Sequence, residues 1–271
     1  MRFMGSVPGW IRPLVLALAM VAGASAPQAG EGDEVDVALI LAVDISYSMD
    51  VEEQKLQKEG YIEALNSPEV LRAIRMGMTG KIAIAYFEWA NSDDQRMVLP
   101  WTIIDGPESA RAATSRIAAS PLSRARRTSI SGALGYARKM FEDLPFRPLR
   151  RVLDVSGDGP NNSGEPVERA RNALLKDKVV INGLPIMIKR DYRGWGDIDN
   201  LDQYYQDCVI GGPGSFMLSI RTLDQFQSAT RQKIIREVAE AGMADVEFVQ
   251  QRRAKTDCMI GERMWRDRQF N

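Results

Sequence analysis

The stretch that decides the fold is VALILAVDISYS, residues 37–48. Its first part, Val37 to Val43, is entirely apolar, which is typical of a strand buried on both faces of a mostly parallel sheet. Polar side chains then begin at Asp44 and recur at Ser46 and Ser48. Because ligands bind outside the carboxyl ends of the strands in such a sheet, we expect the functional site to begin at Asp44.

Strands and helices alternate along the rest of the chain. Apolar runs predict five more strands, at residues 81–87, 96–104, 152–155, 179–188 and 216–220. Helical spacing of apolar residues predicts helices at residues 51–65, 70–74, 107–119, 130–141, 165–176 and 223–241. The strand at residues 96–104 is expected to return antiparallel at an edge of the sheet, and Pro100, which has no N–H group, fits an edge better than a centre. This order predicts an α/β fold: a doubly wound, mostly parallel six-stranded sheet with one antiparallel edge strand and helices on both faces.

The two ends of the chain differ from this central region. Residues 1–29 combine Arg2 and Arg12 with a short apolar run and then small residues, the layout of a secretory signal peptide. The run is shorter than the roughly 20 apolar residues that cross a bilayer, although an uncleaved anchor is an alternative. We therefore predict a periplasmic or secreted protein without a stable membrane span after cleavage. Residues 30–241 would form one domain, and residues 242–271 a C-terminal extension packed on it.

Composition argues against several classes of function. The 35 basic and 36 acidic side chains nearly cancel, so no overall charge favours nucleic acid, and we expect none as a partner. The chain has no histidine, which removes Ser-His-Asp and Cys-His catalysis and histidine-containing zinc sites. It also lacks a P-loop and a D-x-D pair after its first strand. We expect a protein that is not an enzyme; a metal-dependent hydrolase or phosphotransferase is the alternative.

The two cysteines, Cys208 and Cys258, bear on the C-terminal extension. In an oxidising compartment two thiols of an exported chain pair more often than they stay free, so we predict a disulfide. Closing a loop of about 50 residues would stabilise the fold by about 4 kcal/mol in the chain-entropy account. The bond would tie the tail to the domain.

Oxygen donors recur where the predicted strands end. Asp44, Ser46 and Ser48 form a D-x-S-x-S run, Thr128 precedes a predicted helix, and Asp158 follows the fourth strand. Carboxylate and hydroxyl oxygens suit Mg²⁺ or Mn²⁺ and suit zinc or copper poorly. We predict that these five residues hold one such ion and leave a coordination position for an acidic side chain of a protein partner. Taken singly, each has another interpretation, because Asp, Ser and Thr are preferred helix N-caps.

In this combination and order, the donors resemble the von Willebrand factor A (vWA) domain family over about residues 35–240. The metal-ion-dependent adhesion site (MIDAS) of that family uses D-x-S-x-S, a distant Thr and a later Asp. The resemblance implies a Rossmann-like vWA fold and an adhesion-type module from a secreted bacterial branch of the family. It also implies that Ser46, Ser48 and Thr128 bind the ion directly. Asp44 and Asp158 would bind it directly or through water.

One motif departs from the family. The fourth strand usually ends in Thr-Asp-Gly or Ser-Asp-Gly, whereas residues 156–159 of this chain read Ser-Gly-Asp-Gly. The inserted Gly157 leaves the geometry of Asp158 open. Asp154 competes for the role, and we interpret it as a structural carboxylate paired with an arginine or with the backbone.

Three loops would surround the ion and contact the partner. We assign Trp89, Asn161, Tyr192 and Trp195 to this rim, because exposed aromatic residues dominate interface energetics. Trp195 has the alternative of packing against its own loop. The basic run Arg124, Arg126 and Arg127 has two interpretations as well: it attracts an acidic partner, or it is a solvated loop. The acidic residues Asp197 and Asp199 are a weak signal for a second ion.

Overall fold

A five-stranded sheet forms the centre of the computed structural model, which describes residues 32–188, 198–239 and 255–269. The strands are β1 (Glu34–Asp44), β2 (Ile82–Trp89), β3 (Gln95–Ile104), β4 (Arg147–Gly157) and β5 (Val179–Pro185). The helices are α1 (Val51–Asn66), α2 (Pro68–Arg75), α3 (Pro107–Ala119), α4 (Ile130–Glu142), α5 (Val167–Lys176), α6 (Leu201–Tyr204), α7 (Gln225–Ala239) and α8 (Ile260–Gln269). A π-helix at Tyr205–Val209 continues α6. The predicted signal peptide lies outside the described residues.

The strand order is β3-β2-β1-β4-β5, with β1 at the centre. Strand β1 runs parallel to both β2 and β4, and β3 is antiparallel at the edge, as predicted. The chain therefore runs from β1 through β2 and β3 to one edge of the sheet. It then returns to the other side of β1 at β4 and reaches the opposite edge at β5. The carboxyl end of β1 is the switch point at which open α/β sheets bind ligands.

The two faces of β1 bury different cores. Val37, Leu39 and Leu41 pack with α1, α2, α3 and α7, whereas Ala38 and Ile40 pack with α4, α5 and α6. This period of two follows from the alternation of side chains along a strand. Helices on both faces confirm the doubly wound prediction. No helix in the described ranges is long and apolar enough to cross a membrane.

The prediction of a sixth strand at residues 216–220 is wrong, because the sheet in the described residues has five strands. Residues 216–220 form only isolated bridges beside β5, pairing Met217 with Gly183 and Ile220 with Ile186. Pro185 ends β5 between these two bridges and has no N–H group to donate. A continuous ladder is therefore interrupted at the point where a sixth strand would pair.

A buried polar network joins α7 to the sheet. The Lys233 ammonium lies 2.6 Å from Asp154 Oδ1 and also pairs with Glu237, and all three side chains are buried. Tyr61 donates to Asp154 Oδ2 at 3.1 Å, and Asn182 donates to Glu237 Oε1 at 3.0 Å. Asp154 is thus paired with a lysine, where the sequence suggested an arginine or the backbone. Burial, together with the Asp154 carboxylate, raises the pKa of Glu237 to about 7.

Replacing Glu237 with glutamine is expected to flatten the pH dependence of stability. Between about pH 4.5 and about 7 the folded protein holds a proton that the unfolded chain has lost, so the free energy of unfolding falls as the pH rises. The loss is on the order of 3 kcal/mol. Glutamine keeps an acceptor for Lys233 and Asn182, and its amide nitrogen replaces Oε2, which accepts no hydrogen bond among the residues that the structure describes.

Urea unfolding at about pH 5 and about pH 8 measures this effect. The exposed Glu108 provides a matched control, because Glu108→Gln should keep the wild-type pH dependence. If Glu237→Gln loses as much stability between the two pH values as the wild type, the proton is held elsewhere.

Candidate metal centre

Two loops meet at the carboxyl end of the central strands. Strand β1 ends at Asp44 and β4 ends at Gly157, and Val43 lies opposite Ser156 in the parallel pairing of these strands. The loop that follows β4 therefore starts beside the D-x-S-x-S loop. This places Asp158 next to residues more than a hundred positions earlier in the chain.

Direct hydrogen bonds connect four of the predicted ligands. The Ser48 hydroxyl donates to Asp158 Oδ1 at 2.6 Å, and the Ser46 and Ser48 hydroxyl oxygens are 2.8 Å apart. The Ser46 N–H donates to Asp44 Oδ1 at 2.7 Å, which fixes the first carboxylate against its own loop. The structure thus brings two carboxylates and two hydroxyls into one cluster.

Thr128, the fifth predicted ligand, lies beside the residue that follows Asp158. A Cβ atom built on Gly159 would be 3.8 Å from Thr128 Oγ1. The Thr128 N–H donates to Asn162 Oδ1 at 3.0 Å, and its carbonyl accepts from the Asn162 N–H at 2.8 Å. These two bonds hold Thr128 to the loop after β4.

Helix capping does not account for these residues. Asp50 is the N-cap of α1 and forms a capping box with Glu53, whereas Ser129 caps α4. The D-x-S-x-S residues and Thr128 precede these caps and have separate hydrogen bonds. The alternative interpretation of the donors as N-caps is therefore wrong.

The electrostatics of the cluster fit a divalent cation. Asp44 is fully buried, and within the described part of the chain its Oδ2 atom accepts no hydrogen bond. Burial, and then the neighbouring Asp158 carboxylate, raise the pKa of Asp44 well above its ordinary value. A buried anionic oxygen without a partner costs free energy, which a bound cation offsets. Oxygen ligands of this kind, two of them carboxylates, suit a hard ion.

The inserted Gly157 and the unpredicted Tyr205 belong to the same site. A Cβ atom on Gly157 would lie 2.8 Å from Asp44 Oδ2 and 3.0 Å from the Tyr205 hydroxyl, so any larger residue would displace these side chains. Tyr205 begins the π-helix, a rare element often found at functional sites. Its buried hydroxyl makes no hydrogen bond with any residue in the described ranges. The inserted glycine was the sequence signal that another group approaches Asp44 closely. The residues around position 205 gave no signal that Tyr205 is that group.

The residues predicted to form an exposed rim around the ion are not exposed where the structure describes them. Trp89 is fully buried, because it ends β2 and packs in the core on the face of the sheet that α4, α5 and α6 cover, so it is not an exposed anchor. Asn161 is also fully buried, and Tyr192 and Trp195 lie outside the described residues. The exposed apolar side chains closest in sequence to the D-x-S-x-S loop, or to Ala125 that pairs with it, are Tyr47, Val51 and Leu122, which are 53%, 55% and 43% exposed.

Tyr47 could have been found from the motif itself. It stands between the two serines, so side chains that turn inward on both sides leave it facing outward. The Arg124 guanidinium lies 5.3 Å from the Tyr47 ring centroid and donates to the Tyr47 carbonyl at 2.7 Å. Parallel pairing of Ser46 with Ala125 holds this basic loop alongside the site.

Comparison with known families assigns the chain to one of them. The model of the family described as "Protein of unknown function (DUF1194)" matches residues 34–242. The chain belongs to the DUF1194 family. The matched region contains all five predicted ligands and ends before Cys258 and α8. The comparison with curated proteins gives no match.

Solved structures extend the family assignment to a fold. Proximal thread matrix protein 1 from the mussel byssus, "with zinc occupied MIDAS motif", is 15% identical with a TM-score of 0.57, covering 77% of this chain and 49% of that one. A von Willebrand factor type A protein from Catenulispora acidiphila is 17% identical with a TM-score of 0.53, covering 76% and 43%. The pilus adhesin SpaC from Lactobacillus rhamnosus GG is 10% identical with a TM-score of 0.56, covering 75% and 31%. The DUF1194 chain therefore has a vWA-type fold. It spans about half the length of the mussel protein and a smaller fraction of the other two proteins.

Proposed function

We propose that this DUF1194 protein is an exported adhesion-type module that binds a protein partner through a divalent ion. The ligands are Asp44, Ser46, Ser48, Thr128 and Asp158. The observation that carries the proposal is the buried Asp44 carboxylate beside the Ser46–Ser48–Asp158 cluster, whose Oδ2 atom accepts no hydrogen bond from the residues that the structure describes. An ion at this point would pair with both carboxylates.

The ion is Mg²⁺ or Mn²⁺ in this proposal, because all five side chains offer hard oxygen donors. The structure of the mussel protein holds zinc in its MIDAS motif, so zinc is a necessary comparison. The ion would supply an attraction for a carboxylate, and the chain's own residues would orient it. Ser48 would be held by Asp158, and Asp44 by the Ser46 N–H group.

The partner is a protein that offers an acidic side chain to the ion. The exposed Tyr47, Val51 and Leu122 supply apolar contact area around that point, and Arg124 beside Tyr47 adds positive charge. Aromatic and arginine side chains are the usual centres of binding energy in interfaces. The adhesin among the proteins of the same fold agrees with a binding role. We propose a periplasmic or secreted location, with residues 1–29 as the signal peptide, 30–241 as the domain and 242–271 as the extension.

Calorimetric titration with Mg²⁺, Mn²⁺ and Zn²⁺ tests the proposal. The wild-type protein is expected to bind Mg²⁺ or Mn²⁺ with a Kd of about the micromolar to millimolar range. The Ser46→Ala, Ser48→Ala double variant should bind at least about tenfold more weakly, a loss of about 1.4 kcal/mol, because two hydroxyl ligands are removed. The fold should persist, since neither hydroxyl holds core elements together.

Ser228→Ala is the matched control, because Ser228 is an exposed serine on α7 far along the chain from the cluster. It should bind the ion as the wild type does. A folded wild-type protein that binds none of the three ions would refute the metal-dependent mechanism.

A further inference from the structure

We infer that α8, tied to the domain by the Cys208–Cys258 disulfide, is a positioning element that holds the loop after β4 and Thr128 in place at the metal centre. The helix lies outside the region that the family model matches, and no ligand comes from it. The predicted effect of α8 on ion affinity rests on the proposed function. The predicted effect of α8 on the two loops is independent of that function.

Helix α8 packs backbone to backbone against the loop after β4. A Cβ atom on Gly261 would overlap the Asn161 carbonyl oxygen and would lie 2.9 Å from the Asn161 carbonyl carbon. It would also lie 3.1 Å from the Pro160 ring. Only glycine permits this approach, which occurs three residues after Asp158.

The Asn161 side chain transmits this contact to α4. Its Nδ2 atom donates to Glu262 Oε1 of α8 at 2.7 Å, and its Oδ1 atom accepts from the Ser131 N–H in the first turn of α4 at 2.9 Å. The Asn161 N–H donates to the Tyr204 hydroxyl at 3.1 Å. A fully buried asparagine thus connects α8, α6 and the start of the helix that follows Thr128.

A second contact reaches Thr128 through its neighbour. The Arg127 guanidinium lies 3.7 Å from the Trp265 ring centroid of α8, so Arg127 is not simply part of a solvated basic loop. Its Nη1 atom donates to the Asn162 carbonyl at 3.3 Å. Arg127 has a φ of 75°, which non-glycine residues rarely adopt and which the surrounding contacts must hold. Because Asn162 also exchanges two hydrogen bonds with Thr128, the contacts converge on that ligand.

The disulfide links both halves of this arrangement. Cys208 lies in the π-helix that begins with Tyr205, whose hydroxyl borders the same glycine as Asp44. Cys258 stands just before α8. The bond therefore joins an element beside Asp44 to the helix that supports Thr128.

Two α8 variants test the inference by two measurements. In the metal-free protein, Trp265→Ala and Gly261→Leu should each speed amide hydrogen exchange in residues 126–132 and 158–164 by at least about tenfold, because their supporting contacts are lost. Exchange in β1 and β2 should be unchanged, which shows that the fold persists. Calorimetry should find the Mg²⁺ Kd raised by about tenfold, the size of effect expected from outer-shell partners.

Arg266→Ala is the control on the same helix, because Arg266 is exposed, and it should change neither measurement. Wild-type exchange in both segments of both variants would overturn the inference. Faster exchange with an unchanged Mg²⁺ Kd would also overturn it, since the loops would then move without consequence for the ion. If the wild type binds no Mg²⁺, the proposed function fails, while the exchange comparison still decides whether α8 holds the loops.

Discussion

Replacing Lys233 with methionine is expected to lower the free energy of unfolding by about 3–5 kcal/mol at neutral pH. The side chain is fully buried between Asp154, at 2.6 Å, and Glu237. Methionine retains most of the apolar stem but removes the positive charge that pairs with both carboxylates. Two buried acidic groups would then face each other without their cation, and at least one of them would have to be protonated.

The pH dependence distinguishes this cause from lost packing. The cost of Lys233→Met should shrink as the pH falls, because protonation neutralises Asp154 and Glu237, whereas a packing defect would persist at every pH. Arg231→Met, on the exposed side of α7, should stay within about 0.5 kcal/mol of the wild type. A loss below about 1 kcal/mol at neutral pH in urea unfolding would show that the network contributes little as an ion pair.

Removing the disulfide with Cys208→Ser, Cys258→Ser is expected to cost about 4 kcal/mol of unfolding free energy. The two cysteines are 50 residues apart, and the bond restricts the unfolded chain by closing that loop. Both are buried in the folded protein, so the bond also keeps the start of α8 on the domain. Urea unfolding of the oxidised wild type and of the double variant measures the difference.

The reduced wild type is the control for this experiment. It should unfold with the same midpoint as the double variant, since both proteins lack the cross-link. They differ only in having a sulfur or an oxygen atom in the side chains at positions 208 and 258. If the reduced protein remained as stable as the oxidised one, the disulfide would contribute no stability, and α8 would be held by its packing alone.

Much of the fold was predictable, because its signals are local. The apolar run of β1, the proline of β3 and the break between the helices predicted at residues 51–65 and 70–74 each act through neighbouring residues, and each prediction is confirmed. The sixth strand was wrong because an apolar run at 216–220 gives no information on whether its partner strand can pair. Pro185, in that partner, interrupts the ladder.

The candidate ligands could also be chosen from sequence, since the ends of parallel strands meet at one edge of a sheet. Order along the chain was enough to bring Asp44 and Asp158 to the same place. It was not enough to show that Trp89 is buried, because burial of a strand's last residue depends on the helix packed above it. Tyr205 was missed because its distance to Asp44 follows from the path of an irregular helix.

Motif and periodicity therefore led to the fold class and to the candidate ligands, and the count of two cysteines in an exported chain led to the disulfide. Packing alone decided that Asp154 pairs with Lys233, that Gly157 makes room for Tyr205, and that Gly261 lets α8 reach Asn161. The reason is physical: periodicity and capping depend on residues a few positions apart. A steric fit or a buried charge pair depends on distances between atoms that only the folded chain brings together.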